Sequence, residues 1–314
     1  MKQENLVFKS SDGIHDLHAK LWLPAGEVKG VIQIVHGMNE YIGRYANFAG
    51  FMTAHGFAVG GDDHLGHGTS AVNSDELGWF GDNNGAGYLT EDEHLSYNVL
   101  RSRFPDCPYF LLGHSMGSFI SRNYVAHFED ELTGYICMGT AGRNPALSMA
   151  KTLSALIRTV RGPRYRSEFL KKLSFSGYND AFKDEKDPNS WLSRNEQDRI
   201  DYAADPWTQF TFTTAAYQDL FNLLGEVTGS QWASKIRKNL PILIVSGDMD
   251  PVGSNGKGPK EVYSWLKSEG MEDVTLKLFR GARHEILNEN NRHEVYDYLL
   301  NWMEEVKNRQ SQAV

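Results

Sequence analysis

Short apolar runs alternate along most of this chain with longer stretches in which apolar residues return at helical spacing. Residues Leu6 to Leu23 alternate apolar and polar as a β-hairpin does, with Ser10-Ser11-Asp12-Gly13 as the turn and Pro24-Ala25-Gly26 as the exit. Val31 to Val35 reads as a buried strand that runs into His36-Gly37-Met38-Asn39-Glu40, and a helix is expected from about Arg44 to His55. Phe57 to Gly61 predicts the next strand, followed by the polar loop Asp62-Asp63-His64-Leu65-Gly66-His67-Gly68 and a long Gly- and Asn-rich loop through Gly87. A helix from about Tyr88 to Arg103 leads into the apolar run Pro108 to Leu112. That run ends in Gly113-His114-Ser115-Met116-Gly117, and a helix-compatible segment continues from Ser118 to about Glu129. Gly134 to Gly139, Pro241 to Gly247 and Val274 to Phe279 complete the strands, with helices expected near Lys260–Glu269 and Arg292–Lys307.

Strands alternating with helices predict a mostly parallel sheet covered on both faces, with function at the C-terminal ends of the strands. The alternation breaks between about Arg143 and Asn239, which shows helical patterns and turn signals but no convincing strand. The expectation is one α/β domain, residues 1–142 and 240–314, carrying a helical lid insertion, residues 143–239, after the sixth strand.

Composition narrows the function classes. Apolar residues make up 40% and charged residues 23%, ordinary for a globular protein. With 32 Lys+Arg against 40 Asp+Glu the net charge is −8, which disfavours a general nucleic-acid binder. Met1 to Lys9 carries no apolar signal core, and no run approaches the ~18 apolar residues of a membrane span, so a cytoplasmic location is expected. Cys107 and Cys137 are too few for a disulfide framework and are expected to be reduced.

The chemistry centres on Ser115. A serine on a sharp turn between strand and helix needs neighbours without a Cβ, which Gly113 and Gly117 supply, and the following helix N-terminus aims amides at a nascent oxyanion. A serine hydroxyl is a poor nucleophile at neutral pH, so Ser115 needs a base and an acid that orients it. His284, just past the last strand in Gly281-Ala282-Arg283-His284-Glu285, is the candidate base. Asp248 and Asp250, after the preceding strand, compete as its partner. The backbone N–H groups of Met116 and Met38 are the expected oxyanion donors. Asp62, Asp63, His64 and His67 are metal-ligand types, but nothing in the sequence completes a site, and no phosphate loop is in register, so no metal or cofactor is expected.

His36-Gly37-Met38-Asn39-Glu40 with Arg44-Tyr45, Asp63-His64-Leu65-Gly66-His67-Gly68, the Ser115 pentapeptide and Gly281 to Glu285 together resemble the monoacylglycerol lipase/lysophospholipase branch of the α/β-hydrolases, also labelled serine aminopeptidase S33. The insertion is similar too, in Phe175 to Asn179, Trp191 to Arg194 and Asp205 to Trp207. The resemblance implies an α/β-hydrolase fold and a triad of Ser115, Asp250 and His284, with Asp250 favoured by its Gly-x-x-Asp spacing from Gly247. It implies hydrolysis of a lipid ester, monoacylglycerol or lysophospholipid, through an acyl-enzyme. Ser118 stands where the family usually has glycine.

The lid bears on the substrate. Met149, Leu153, Leu156, Ile157 and Val160 form one helical stripe, expected to pack inward in preference to facing a membrane. Residues 143–172 hold eight basic residues against Glu168 alone, a charge of +7 that suits transient contact with an anionic lipid surface or, equally, a solvated face. Trp191, Trp207, Phe210, Phe212, Tyr217 and Phe221 are expected either to wall an acyl chain or to form lid core. An aminopeptidase on the same triad is the alternative, with Glu185, Glu196, Asp198 and Asp201 available for a substrate amine. A non-catalytic binding protein is the remaining one.

Overall fold

The chain opens with a hairpin of β1 (Lys2–Lys9) and β2 (Asp16–Leu23), longer at its start than the alternation from Leu6 implied. These strands belong to the computed structural model, which describes residues 1–128 and 130–312. Then follow β3 (Gly30–Val35), α1 (Ala46–Ala54), β4 (Phe57–Asp62), α2 (Gly85–Arg103), β5 (Tyr109–His114), α3 (Met116–His127) and β6 (Gly134–Met138). The expected end of α3 at Glu129 and of the chain's core at residue 314 lie outside the described residues. The stretch between β6 and the next strand holds α4 (Leu147–Arg161), α5 (Glu168–Ser174), α6 (Glu196–Ala204), α7 (Thr214–Glu226) and α8 (Gln231–Ser234). β7 (Ile242–Gly247), α9 (Lys257–Ser268), β8 (Val274–Phe279) and α10 (Arg292–Gln312) complete the order.

The strands form one sheet in the order β1-β2-β4-β3-β5-β6-β7-β8, antiparallel through β2·β4 and parallel from β4 to β8. Central strands are buried on both faces, the reason their sequences read as continuous apolar runs. Alternate residues of β5 feed different cores: Tyr109 and Leu111 pack toward α2, α3 and α7, while Phe110 and Leu112 pack toward α1 and α10. Each fully buried aromatic or branched side chain contributes roughly 1.5–3 kcal/mol. Helices thus cover both faces, and the strand ends are held in register: Val35 is paired with Gly113, and His114 with Met138. Among the described residues no helix is long and apolar enough to cross a membrane. Cys107 and Cys137 are free thiols.

One expectation holds only in part between β6 and β7. α4 packs on α7 through Ala150 and Ser154, which are buried, while Met149, Leu156 and Val160 are 54%, 59% and 72% exposed. The expected stripe therefore divides: Leu153 and Ile157 are half-buried, Ile157 against the core, while Met149, Leu156 and Val160 face outward. Several of the basic residues are also engaged. Arg166 donates to the carbonyls of Leu77, Thr211 and Asp75, Arg158 donates to Asp82 O and Asn83 Oδ1, and Arg164 stacks on Trp79. The aromatic residues divide: Phe212 and Tyr217 are fully buried core, whereas Trp191 and Phe221 wall a cavity and Trp207 lies half-exposed on Tyr41.

Candidate active site

Ser115 caps α3 with φ 54° and ψ −121°, a conformation that L-residues rarely adopt and that lifts the side chain off the end of β5. Its neighbours have no room for a side chain. A Cβ on Gly113 would fall 2.0 Å from Ser121 Oγ, and one on Gly117 2.0 Å from the Val35 carbonyl. The departure at Ser118 is accommodated: its hydroxyl donates to the Ser115 carbonyl at 2.6 Å and lies 2.8 Å from Thr140 Oγ1, fastening the turn to the end of β6.

His284 follows β8, and its ring lies buried with Nδ1 3.0 Å from Asp250 Oδ1. Burial opposes the charge on Asp250, yet the facing imidazole, the Ser246 hydroxyl at 3.0 Å and the Val252 N–H at 2.9 Å hold its carboxyl below the usual range. With Nδ1 turned to the carboxylate, Nε2 is the ring nitrogen left for a substrate-side proton. Asp248 is placed differently. Its carboxylate accepts the Gly281 N–H at 2.6 Å, which ties the β8 turn together. The insertion reaches the histidine directly, because His284 N–H donates to Trp191 O, Glu285 N–H donates to Leu192 O, and the Trp191 ring lies 5.1 Å from the imidazole.

Met38 and Met116 bracket the site. The Met116 N–H, first in α3, lies outside the helical ladder, and the Met38 N–H has no acceptor among the described residues. The turn carrying Met38 is built tightly. Glu40 accepts from the Gly37 N–H and from Tyr45 Oη at 3.0 Å, and lies 2.9 Å from His114 Nδ1. Burial alone would lower the His114 pKa, but the Glu40 carboxylate raises it, and the same imidazole keeps Glu40 below the usual carboxylate range against its own burial. Asn39 sits at φ 55° and donates to the Thr208 and Phe210 carbonyls, joining the turn to the insertion.

Ser115, His284, Met38 and Met116 all open into one cavity of about 580 Å³ between the strand ends and the insertion. Its far wall is apolar, with Phe119, Leu147, Ala150, Leu220, Phe221 and Leu224. The acids considered for binding an amine do not line it. Glu185 pairs with Arg283, and Asp198 faces Arg44.

The family described as serine aminopeptidase, S33, matches residues 26–291. The chain belongs to this family. Similar relatives include the monoglyceride lipase of Rattus norvegicus, 27% identical over 275 residues, covering 88% of this chain and 81% of that protein. A monoacylglycerol lipase of Mycolicibacterium smegmatis is 28% identical over 295 residues, covering 90% and 91%. Among solved structures, a thermostable carboxyl esterase from Bacillus coagulans in complex with glycerol superposes with a TM-score of 0.91 at 32% identity, covering 98% of this chain and 99% of that one. A lipase in an open form gives a TM-score of 0.89 at 28% identity, with 97% and 99% covered. The sheet is accordingly that of an α/β-hydrolase.

Sequence reasoning missed two buried groups in this family member. The first is Glu40 with Arg44 and Glu285. Arg44 makes a bidentate pair with Glu285, at 2.6 and 2.8 Å, between residues far apart in the chain. The second lies by the His36 turn, where Glu93 of α2 joins Asp62 and His64 with ligand-type atoms within 4.8 Å of one another. The sequence reading found no group to complete that set because Glu93 sits in a helix distant in sequence. Burial and the neighbouring Asp62 raise Glu93 well above the usual carboxyl range, while His64 Nε2 donates to the His36 carbonyl and His36 stacks on His64 at 3.8 Å. The set props the His36 turn from below. Asp63 is a loop organiser, accepting from the N–H groups of Ile42 and Thr69.

Proposed function

We propose that this carboxylic ester hydrolase cleaves long-chain monoacylglycerol or lysophospholipid through an acyl-enzyme. Ser115 attacks the ester carbonyl while His284 takes its proton. The Met38 and Met116 N–H groups receive the developing oxyanion, and His284 returns the proton to the leaving alcohol. Water, activated by the same imidazole, then releases the fatty acid. Asp250 orients the ring and stabilises the imidazolium.

His284, held by buried Asp250 and opening with Ser115 into an apolar-walled cavity, carries this reading. The relatives named as monoglyceride lipases support the substrate class. Residues 143–239 act as a lid whose outward stripe of Met149, Leu156 and Val160, flanked by Lys151 and Arg161, touches an anionic lipid surface. A panel of monoacylglycerols and lysophospholipids graded by acyl length, run beside Ser115→Ala, tests the proposal. Long-chain esters should be preferred over amino-acid p-nitroanilides, and Ser115→Ala should be inert. Turnover of p-nitroanilides alone would overturn it.

A further inference from the structure

Behind His284 lies a buried knot of charge drawn from widely separated parts of the chain. Arg44, from the turn Ile42–Tyr45, is 10% exposed at its side chain and pairs with Glu285, the residue after the base. It also lies 3.6 Å from Glu40 and 3.5 Å from Asp198 of α6, and its guanidinium stacks over the Tyr202 ring at 4.9 Å. Asp198 Oδ2 is buried without a donor, and Asp198 and Glu285 converge on the same Arg44 nitrogen, Nη2, which lies 3.5 Å from Asp198 Oδ1 and donates to Glu285 Oε2 at 2.8 Å. Two carboxylates are both acceptors, so only a proton shared between them lets one hydrogen-bond the other. The charge balance agrees. Glu40, Glu285 and Asp198 bring three carboxylates against Arg44 and His114, so even a charged His114 leaves one negative charge over, which one proton on the carboxyl pair offsets.

We propose that Asp198 and Glu285 share a single proton and, with Arg44, latch α6 onto the loop that carries His284, so that loss of this proton loosens the base. Asp198 is in this sense a positioning residue, and the inference rests on His284 being the base. The groups that face Asp198 are Arg44 from the β3–α1 connection, Glu285 from the β8–α10 connection, Tyr296 from α10, and Asp201 and Tyr202 from α6 itself; Glu40 and His114 lie behind Arg44. Burial, reinforced by Glu285, pushes Asp198 up to about 8, while Arg44 holds Glu285 at about 2 against its own burial. The proton therefore stays on the pair through neutral pH and leaves on the alkaline side. Above that point an additional negative charge lies beside Glu285, whose N–H is bonded to the Leu192 carbonyl.

Two measurements test the latch. In the first, kcat/KM on a soluble p-nitrophenyl ester is followed from pH 6.5 to 9.5, corrected for spontaneous hydrolysis. The wild type should lose roughly tenfold between pH 7 and 9, as one deprotonation near 8 requires, and Asp198→Asn should abolish this limb. The same limb in Asp198→Asn would overturn the proposal. In the second, hydrogen exchange of residues 191–204 is measured in Ser115→Ala protein at pH 7 and 9, with intrinsic rates divided out. Protection should fall at pH 9, and in the Ser115→Ala/Asp198→Asn protein it should be equal at the two pH values. Unchanged protection in the single variant would also overturn it. A pH-dependent loss of protection in a protein that hydrolyses no ester would support the latch and remove the functional reading instead.

Discussion

Asp250 and His284 are joined at 3.0 Å in the closed interior, whereas Asp248, two residues before Asp250, is hydrogen-bonded to the Gly281 N–H instead. The two carboxylates are close in sequence but differ in what they can do. Asp250→Asn should leave the fold intact and lower kcat on a p-nitrophenyl ester by about 10⁴, because the amide favours the wrong imidazole tautomer. Asp248→Asn keeps an oxygen for Gly281 and should cost less than about tenfold, an expectation scaled to one neutral turn hydrogen bond. Equal losses from the two variants would count against Asp250 as the orienting acid.

The oxyanion turn gives a second test through its backbone. In the proposed mechanism only the N–H of Met38 takes part, so Met38→Leu should be mild. Met38→Pro, which deletes the donor, should cost about 10²–10³ in kcat, or on the order of 3–4 kcal/mol. Glu40 acts one step back, holding Gly37 N–H, Tyr45 and His114 together. Glu40→Ala leaves a buried imidazole and an N–H without partners and should lower both thermal stability and kcat. Glu40→Gln retains an acceptor and should recover part of the stability. If Glu40→Ala changed only KM, this role would be wrong.

Much of this arrangement was legible before any coordinates. Fully buried parallel strands such as β3, β5 and β7 announce themselves as apolar runs, and the glycines around Ser115 are forced by contacts of 2.0 Å that no side chain can occupy. The alternation of elements placed Ser115, Asp248, Asp250 and His284 at strand ends, while the preference for Asp250 over Asp248 came from the family resemblance. Helical periodicity, by contrast, locates the α4 stripe but not which of its residues pack inward and which face outward. The Arg44–Glu285 pair and the approach of Glu93 to His64 join residues with no local pattern between them, so no spacing rule could find them.

The outward stripe on α4 makes a prediction that separates surface contact from chemistry. Met149, Leu156 and Val160 are exposed, and inserting about half of each side chain into a lipid interface would favour binding by roughly 2 kcal/mol in total, about thirtyfold in partitioning. Replacing all three by serine should lower the rate on anionic vesicles relative to that on a soluble short-chain ester. Raising the salt should weaken the wild-type preference for anionic over neutral vesicles, since exposed charges are screened within about 8 Å at physiological ionic strength. An unchanged ratio of vesicle to soluble rates in the triple variant would remove the lipid-contact role.

Asp92 carries the last prediction, on stability. It lies in α2 with its carboxylate accepting from Ser10 Oγ at 2.8 Å and Ser11 N–H at 2.6 Å, so it clamps the hairpin turn to the helix. Burial pushes its pKa up to about 6 despite those bonds, and Asp219 of α7 is raised to about 6 for the same first reason. A carboxyl whose folded pKa exceeds its unfolded value binds a proton more tightly in the native state. Its contribution is therefore greatest below about pH 4, declines as pH rises to about 6, and is constant above that. A shift of about two units corresponds to roughly 3 kcal/mol for each site. Asp92→Asn has no proton to lose, so denaturant unfolding should show the wild type losing stability relative to the variant between pH 4 and 6. A difference between the two proteins that does not change with pH would mean that Asp92 titrates no differently in the folded and unfolded chains.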